Sequence, residues 1–412
     1  MFPGCDMAIH LPPSHQQTKY LLALPTHITQ QLLPWCHRLS AAAFCLTAAS
    51  LTLAQTNPSM DATKTHHTRD GFKNNYIGTV NKGFGELVRW QIERRSQGLP
   101  LPADAPTPVQ APDFGRINSY KAGAGSQANS PPVITWIGHA SMLVQSGGLN
   151  ILTDPVFSNR ASPIQLIGPA RAQPPGVAVA DLPPIDVVVI SHNHYDHLDR
   201  QSVLDIAQRA ESAGTRTLFL VPLGMRSWFV DLGLTNTREM DWWDTHTDHD
   251  VTFTFTPTQH WSARGIGDRS QTLWGGWAVT APDLHWYFAG DTGYSKDFVD
   301  TAARFAPQHT AAQGGGFDLA LIPVGGYQPR WFLAEQHVNP DEAVQMHLDL
   351  RAKRSVGIHW GTFALTDEPL DQPPKDLAAA RLAKNISPSD FSVMAIGETR
   401  VLTPRTPPTK AP

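Results

Sequence analysis

Three histidines and an aspartate stand within six positions of the stretch Ser191–Asp199, S-H-N-H-Y-D-H-L-D, as His192, His194, Asp196 and His197. Neutral imidazoles and carboxylates are the donors that borderline divalent metals such as zinc accept, and donors set this tightly let one turn serve two ions. Three more residues of the same chemistry follow, each behind an apolar run: His260 in T-Q-H-W-S, Asp291 in F-A-G-D-T-G and His359 in I-H-W-G. A single histidine or aspartate at a strand end is ordinary structure. Seven of them at four strand ends, in this order, point to a metal centre assembled from distant parts of the chain. Asn193 and Tyr195 lie between the first ligands, where support of those ligands and plain packing fit equally well.

Periodicity predicts the elements that must position these residues. Asp186–Ile190 is a continuous apolar run, as expected of a strand covered on both faces, and it delivers the first cluster at its C-terminal end. Val133–Trp136, Ser141–Gln145 and Asn150–Thr153 read as consecutive strands, with turns at Gly138-His139 and Ser146–Gly148. A helix is expected over Ser202–Ala213 and a strand over Thr217–Val221. Val251–Thr256, V-T-F-T-F-T, alternates strictly and predicts a half-buried strand leading to His260. Trp274–Thr280, His285–Ala289 and Asp318–Val324 continue the sheet. Asn339-Pro340-Asp341 opens a helix running to about Ala352, Ser355–Ile358 leads into His359, and Phe391–Ala395 is the last strand expected. The strands fall into two blocks, each with helices, which predicts an α+β domain of two sheets packed face to face with helices outside.

The formal net charge of −4 argues against broad electrostatic binding to nucleic acid, and no nucleic-acid motif is present. The only cysteines, Cys5, Cys36 and Cys45, precede residue 70, so neither a disulfide framework nor thiolate metal ligands are expected in the body. Residues 1–70 read as a disordered tail. Within it Leu39–Leu53 is uncharged, follows His37-Arg38 and is shorter than the roughly 18 apolar residues of a membrane span; with Ala54 as a small cleavage residue, this is the pattern of a secretory signal peptide. A periplasmic or membrane-associated location would follow, whereas a start at Met60 would give a cytosolic protein. Phe84–Gln97 sets Phe84, Leu87, Val88, Trp90 and Ile92 at helical spacing beside Arg89, Arg94 and Arg95. Such a helix packs on the main domain or lies at an anionic membrane surface. Leu99–Pro132 is rich in Pro, Gly and Ser and reads as a connector. The expected parts are thus a tail (1–70), a helix and connector packing on the main domain (71–132) and the main domain itself (133–405).

The pattern H-N-H-Y-D-H followed by His260, Asp291 and His359 matches the H-x-H-x-D-H signature of the metallo-β-lactamase superfamily, whose fold is an αββα sandwich. The chain further resembles the N-acylphosphatidylethanolamine-hydrolysing phospholipase D family. The likeness is carried by T-W-I-G-H-A-S, T-D-P-V-F-S, I-S-H-N-H-Y-D-H-L-D, V-P-L-G, D-W-W, T-Q-H-W-S-A-R, F-A-G-D-T-G-Y, Y-Q-P-R-W-F, Q-H-V-N-P-D-E-A-V and I-H-W-G-T-F-A-L. It runs from about Gly71 to Leu402 and leaves an N-terminal extension outside it. One departure is Gly325-Gly326-Tyr327-Gln328, where the family pattern has Ala before Tyr327 and Glu after it.

The resemblance implies two zinc ions per chain. It puts one on His192, His194 and His260, the other on Asp196, His197 and His359, with Asp291 bridging both. The imidazole of His194 favours a hydrolytic zinc site, since redox diiron members of the superfamily place an acidic ligand there. The implied reaction is hydrolysis of N-acyl phosphatidylethanolamine to N-acylethanolamine and phosphatidic acid; a lactone or a smaller phosphodiester is the alternative substrate. A non-enzymatic scaffold is disfavoured because every ligand type is retained. Asp291 and Asp196 are then catalytic, and His337 in Q-H-V-N-P is the candidate to position the substrate or to protonate its leaving group. Tyr327, Arg330, Trp331 and Gln336 are the candidate substrate contacts, Arg330 as a bidentate partner for phosphate. Expected partners are a phospholipid, a membrane surface and a second copy of the chain in a homodimer.

Overall fold

The computed structural model describes residues 57, 59–80, 82–120, 130–313 and 315–405. Leu39–Leu53 and the three cysteines lie outside the described residues. A two-stranded hairpin, β1 (His67–Thr68) and β2 (Gly71–Phe72), precedes the sandwich. The first seven-stranded sheet begins with β3 (Val133–Gly138), β4 (Ser141–Ser146), β5 (Leu149–Thr153), β6 (Val187–Val189), β7 (Leu218–Pro222) and β8 (Thr237–Met240). The second contains β9 (Thr245–Asp248), β10 (Val251–Thr256), β11 (Gly276–Thr280), β12 (His285–Phe288), β13 (Leu319–Pro323), β14 (Ser355–Ile358) and β15 (Phe391–Val393). Strand β16 (Thr399–Val401) then returns to the first sheet and pairs antiparallel with β3. Each sheet is half antiparallel and half parallel: β5–β8 run parallel in one, β12–β15 in the other.

The apolar run of β6 shows why the sandwich forms. Val187 and Val189 face the core between the sheets with Trp136, Phe253, Trp277 and Phe288. Val188 and Ile190 face outward, against Val203 and Ile206. Both faces are covered, so no polar alternation is needed.

The helices lie where the outer faces need cover. Helix α1 (Phe84–Ser96) and the short α2 (Phe114–Ser119) precede the sandwich. Helices α3 (Arg200–Ser212) and α4 (Arg226–Asp231) contribute to the outer cluster of the first sheet. Helix α5 (Asp297–Phe305), the single turn α6 (Arg330–Leu333), α7 (Pro340–Asp349) and α8 (Gln372–Ala383) accompany the second. A reciprocal cap between Asn339 and Glu342 starts α7, with Pro340 in its first turn.

Three features depart from expectation. The packed chain reaches back past residue 70: His66, His67 and Phe72 are buried, and Asn57 donates to Gly71 O at 3.0 Å. The connector contains α2, because Asp113 caps it by accepting from Arg116 N at 3.0 Å. The strands β8, β9 and β16 carry polar text such as T-R-E-M and T-H-T-D, and β8, β9 and β16 all stand at sheet edges, where no apolar run is required.

Candidate metal centre

All the loops that carry the seven residues leave strands at one end of the sandwich. The loop after β6 is pinned from three sides. Trp277 Nε1 donates to Ile190 O at 2.9 Å. Arg264 Nη1 donates to Asn193 O and Leu198 O, both at 2.8 Å, and the Tyr195 hydroxyl donates to Arg264 O at 2.9 Å. The loop after β12 approaches so closely that a Cβ on Gly290, at φ 60°, would lie 2.5 Å from Ser191 Cβ. Only glycine permits that contact. His139, Asp154 and His359 themselves hold positive φ of 53°, 31° and 60°, sparsely populated for side-chain-bearing residues and a mark of functional sites.

The seven residues meet in two groups. His192 Nε2 and His194 Nδ1 are 2.9 Å apart, and His260 Nε2 is 3.4 Å from the same His194 nitrogen. On the other side, Asp196 Oδ2 lies 3.5 Å from His197 Nε2 and 3.4 Å from His359 Nε2. Asp291 Oδ2 stands between the groups, 3.9 Å from His192 Nε2 and His260 Nε2, 3.1 Å from His197 Nε2 and 3.3 Å from His359 Nε2.

Outer partners fix which nitrogen of each ring faces inward. His260 Nδ1 donates to Gln336 O at 2.9 Å, His197 Nδ1 to Asp154 Oδ2 at 2.7 Å and His359 Nδ1 to Gly325 O at 3.3 Å. The Ser191 hydroxyl donates to Asp154 and so accepts from His192 Nδ1 at 2.9 Å. Each of these rings thereby turns its Nε2 to the centre, the orientation a metal-binding histidine requires. His194 is the exception and presents Nδ1.

Burial holds His192 well below the usual imidazole range, and it lowers His194 to about 4 and His260 to about 3, so all three are neutral donors. Burial also acts against charge on His197 and His359, but Asp291 and Asp196 outweigh it, raising His197 well above its ordinary value and His359 to about 9. Burial would raise Asp196, yet His197, His139 and His359 hold it well below the carboxylate range. Asp196 and Asp291 are thus a pair of carboxylates that demand nearby positive charge. His197 Nε2, His359 Nε2 and Asp291 Oδ1 are buried without a hydrogen-bond partner. Unpartnered donors of this kind converging on one spot fit a cation, since they would otherwise be costly to bury.

Two residues of the centre were not singled out from sequence, although both lie in quoted motifs. His139, in G-H-A-S, donates Nε2–H to Asp196 Oδ2 at 3.0 Å and packs with its ring centroid 4.0 Å from that of His359, tilted by 43°. Asp154, in T-D-P, is fully buried and accepts from Ser191 N, Ser191 Oγ and His197 Nδ1. Their spacing from their partners, from tens of residues away, left no local signal.

A cavity of about 440 Å³ opens onto the centre. His194, Asp196, Asp291, His337 and His359 lie at its base, and Phe84, Leu87, Trp90, Phe332, Leu333 and Leu365 line its apolar walls. His337 Nδ1 is 3.8 Å from Asp291 Oδ2, and burial lowers its pKa to about 3. Gln336 is also on the wall; its Oε1 accepts from Trp261 Nε1 at 2.5 Å.

The other three expected substrate contacts are placed differently and are not among the lining residues. Tyr327 is buried and donates to Asp376 Oδ2 at 2.5 Å. Arg330 commits its guanidinium internally, Nη1 to His337 O at 2.7 Å and Nη2 to Glu342 Oε2 at 2.8 Å. It holds the His337 turn rather than facing the cavity. Trp331 is 38% exposed with Arg89 4.5 Å above its ring. At the family departure, a Cβ on Gly326 would come within 3.1 Å of His359 and 3.3 Å of His337, so glycine leaves the cavity floor wider there.

The profile of the beta-lactamase superfamily domain matches residues 149–360. The N-acyl-phosphatidylethanolamine-hydrolyzing phospholipase D 1 of Caenorhabditis elegans is 38% identical over 279 residues, 64% of this chain and 74% of the relative. The mitochondrial N-acyl-phosphatidylethanolamine-hydrolyzing phospholipase D of Saccharomyces cerevisiae is 32% identical over 340 residues, covering 74% of this chain and 69% of its own length. The chain belongs to the N-acylphosphatidylethanolamine-hydrolysing phospholipase D family. It is a metal-dependent hydrolase of the metallo-β-lactamase superfamily. The fold agrees: a possible metal-dependent hydrolase of Veillonella parvula superposes with a TM-score of 0.50 at 17% identity, over 66% of this chain and all of that one. Among the described residues, no helix is long and apolar enough to cross a membrane.

Proposed function

We propose that this family member is a two-zinc phosphodiesterase of phospholipase D type, which hydrolyses N-acyl phosphatidylethanolamine to N-acylethanolamine and phosphatidic acid. The observation that carries this reading is the Asp291 carboxylate, set between two groups of donors at the base of an apolar cavity. His192 Nε2, His194 Nδ1 and His260 Nε2 would hold one ion, Asp196, His197 and His359 the other, and Asp291 both. An all-nitrogen-and-oxygen donor set rich in imidazole suits zinc. Ions so held would supply Lewis acidity at a phosphoryl oxygen and a water ionised near neutral pH.

The chain's own residues do the rest. His139 orients Asp196, and Asp154 fixes the inward nitrogen of His197. His337 faces the cavity beside Asp291; its depressed pKa keeps it neutral, so it serves as a hydrogen-bonding group that orients the substrate and not as the proton source for the leaving alkoxide. Arg330 steadies it through its carbonyl. The apolar walls accept acyl chains. Helix α1 fits a membrane surface: it packs through Trp90 and Arg94, while Phe84 is 81% and Ile92 62% exposed. The substrate named in the two relatives supports the same reading.

Replacing His337 with Gln should lower kcat roughly tenfold to hundredfold with both metal equivalents retained. Loss of metal from H337Q would make His337 a ligand instead. The reaction is tested by supplying zinc-loaded protein with N-acyl phosphatidylethanolamine and with a panel of lactones. Release of N-acylethanolamine together with phosphatidic acid is expected; turnover of lactones alone overturns the lipid substrate.

A further inference from the structure

The segment before α1 reaches the metal centre through Asn74. Its side chain is buried and takes both main-chain polar groups of His260. Asn74 Oδ1 accepts from His260 N at 2.9 Å, and Asn74 Nδ2 donates to His260 O at 3.0 Å. The same Oδ1 accepts from Trp274 Nε1 at 3.0 Å, and that indole also reaches Thr258 O at 3.1 Å. The ring of His260 is held separately, by Gln336 O. One residue from outside the sandwich therefore sets the backbone of a residue inside the centre.

The segment is fastened so that Asn74 cannot drift. Lys64 Nζ, His66 Nε2 and His67 Nε2 converge on the Asp241 carboxylate at 2.5, 2.7 and 2.9 Å, and Phe72 N donates to Ser270 O at 2.8 Å. The cluster of His66, His67 and Asp241 has the residue types of a metal site but not the chemistry. The Asp61 N–H donates to His67 Nδ1 at 2.9 Å, so the nitrogen facing Asp241 carries a proton, and the Lys64 ammonium occupies the same oxygen. It is an anchor.

We propose that Asn74 is a positioning residue for His260, and that its clamp sets the affinity of the ion held by His192, His194 and His260 while leaving the Asp196, His197 and His359 group unaffected. The inference rests on the two-metal reading above. Outer-shell supports of metal ligands typically change affinity by roughly 10–100-fold when removed, because the ligand lone pair is no longer held on target.

The test is a zinc titration against a competing chelator, with melting temperature measured in parallel, on the parent, Asn74→Ala, Asn74→Asp and Asn75→Ala. Asn75 lies on the same segment but bonds Asp297, at 2.8 Å, and controls for general loosening. Asn74→Asp keeps the acceptor for His260 N and Trp274 but sets a carboxylate oxygen against His260 O, so it reverses the second bond of the clamp in a side chain of the same shape. The parent is expected to hold two equivalents. In N74A one of them should weaken by about tenfold to hundredfold, with N74D weakened as well and N75A like the parent. A parent that binds no stoichiometric zinc defeats the two-metal reading itself. A parent with two equivalents and an N74A and N74D that match it, or that weaken both ions equally in step with melting temperature, overturns the role of Asn74.

Discussion

Asp291→Asn should lower phosphodiester turnover by on the order of 10³-fold and release at least one metal equivalent. Burial alone would raise the Asp291 carboxyl, but His197, His359 and His337 outweigh it and hold the group well below the ordinary carboxylate range. It is therefore an anion at any pH where the protein works, and it faces imidazole nitrogens of both groups within 3.9 Å. Asparagine keeps the shape and removes the charge. One amide oxygen cannot serve two cations as a carboxylate does, and the amide nitrogen would present a donor where a lone pair is needed. Metal analysis beside steady-state kinetics checks this. Full activity in D291N would mean that the centre is misassigned.

The second large effect is expected at Asp154, which touches no substrate. Its carboxylate accepts from Ser191 N at 2.7 Å, Ser191 Oγ at 2.5 Å and His197 Nδ1 at 2.7 Å, all buried. Asp154→Ala strands three buried donors at once. Each unsatisfied group costs about 1–3 kcal/mol, and breaking such a network about 3–5 kcal/mol in total. His197 also loses the partner that fixes its inward nitrogen, so metal affinity should fall by roughly 10–100-fold. Denaturant unfolding with and without added zinc separates the two losses. A destabilisation below about 1 kcal/mol would show that the network is redundant.

The candidate metal centre was legible because its chemistry is local and its residue types are few. His192, His194, Asp196 and His197 fall in one turn, and His260, Asp291 and His359 each follow a strand whose apolar text is unmistakable. Central strands were readable for the same reason: β10 and β14 have the bounds their sequence predicts, Val251–Thr256 and Ser355–Ile358. What the sequence hid is long-range. Arg330 looks like a phosphate ligand until α7 brings Glu342 to it, and Tyr327 until α8 brings Asp376. His139 and Asp154 acquire roles only when the sheets place them against Asp196 and His197. Residues 57–70 have the composition of a linker, yet Lys64, His66 and His67 meet Asp241, 174 to 177 positions away. Polar edge strands β8, β9 and β16 carry no apolar signal because one of their sides has nothing to pack against.

In the proposed reaction, water is delivered to phosphorus of a phospholipid diester at this centre. This is tested most directly by running the hydrolysis of N-acyl phosphatidylethanolamine in ¹⁸O-labelled water and reading the products by ³¹P NMR and mass spectrometry. Attack at phosphorus puts one ¹⁸O in phosphatidic acid and none in N-acylethanolamine. Label in the N-acylethanolamine hydroxyl, or in a released fatty acid, would place the chemistry at carbon and contradict it.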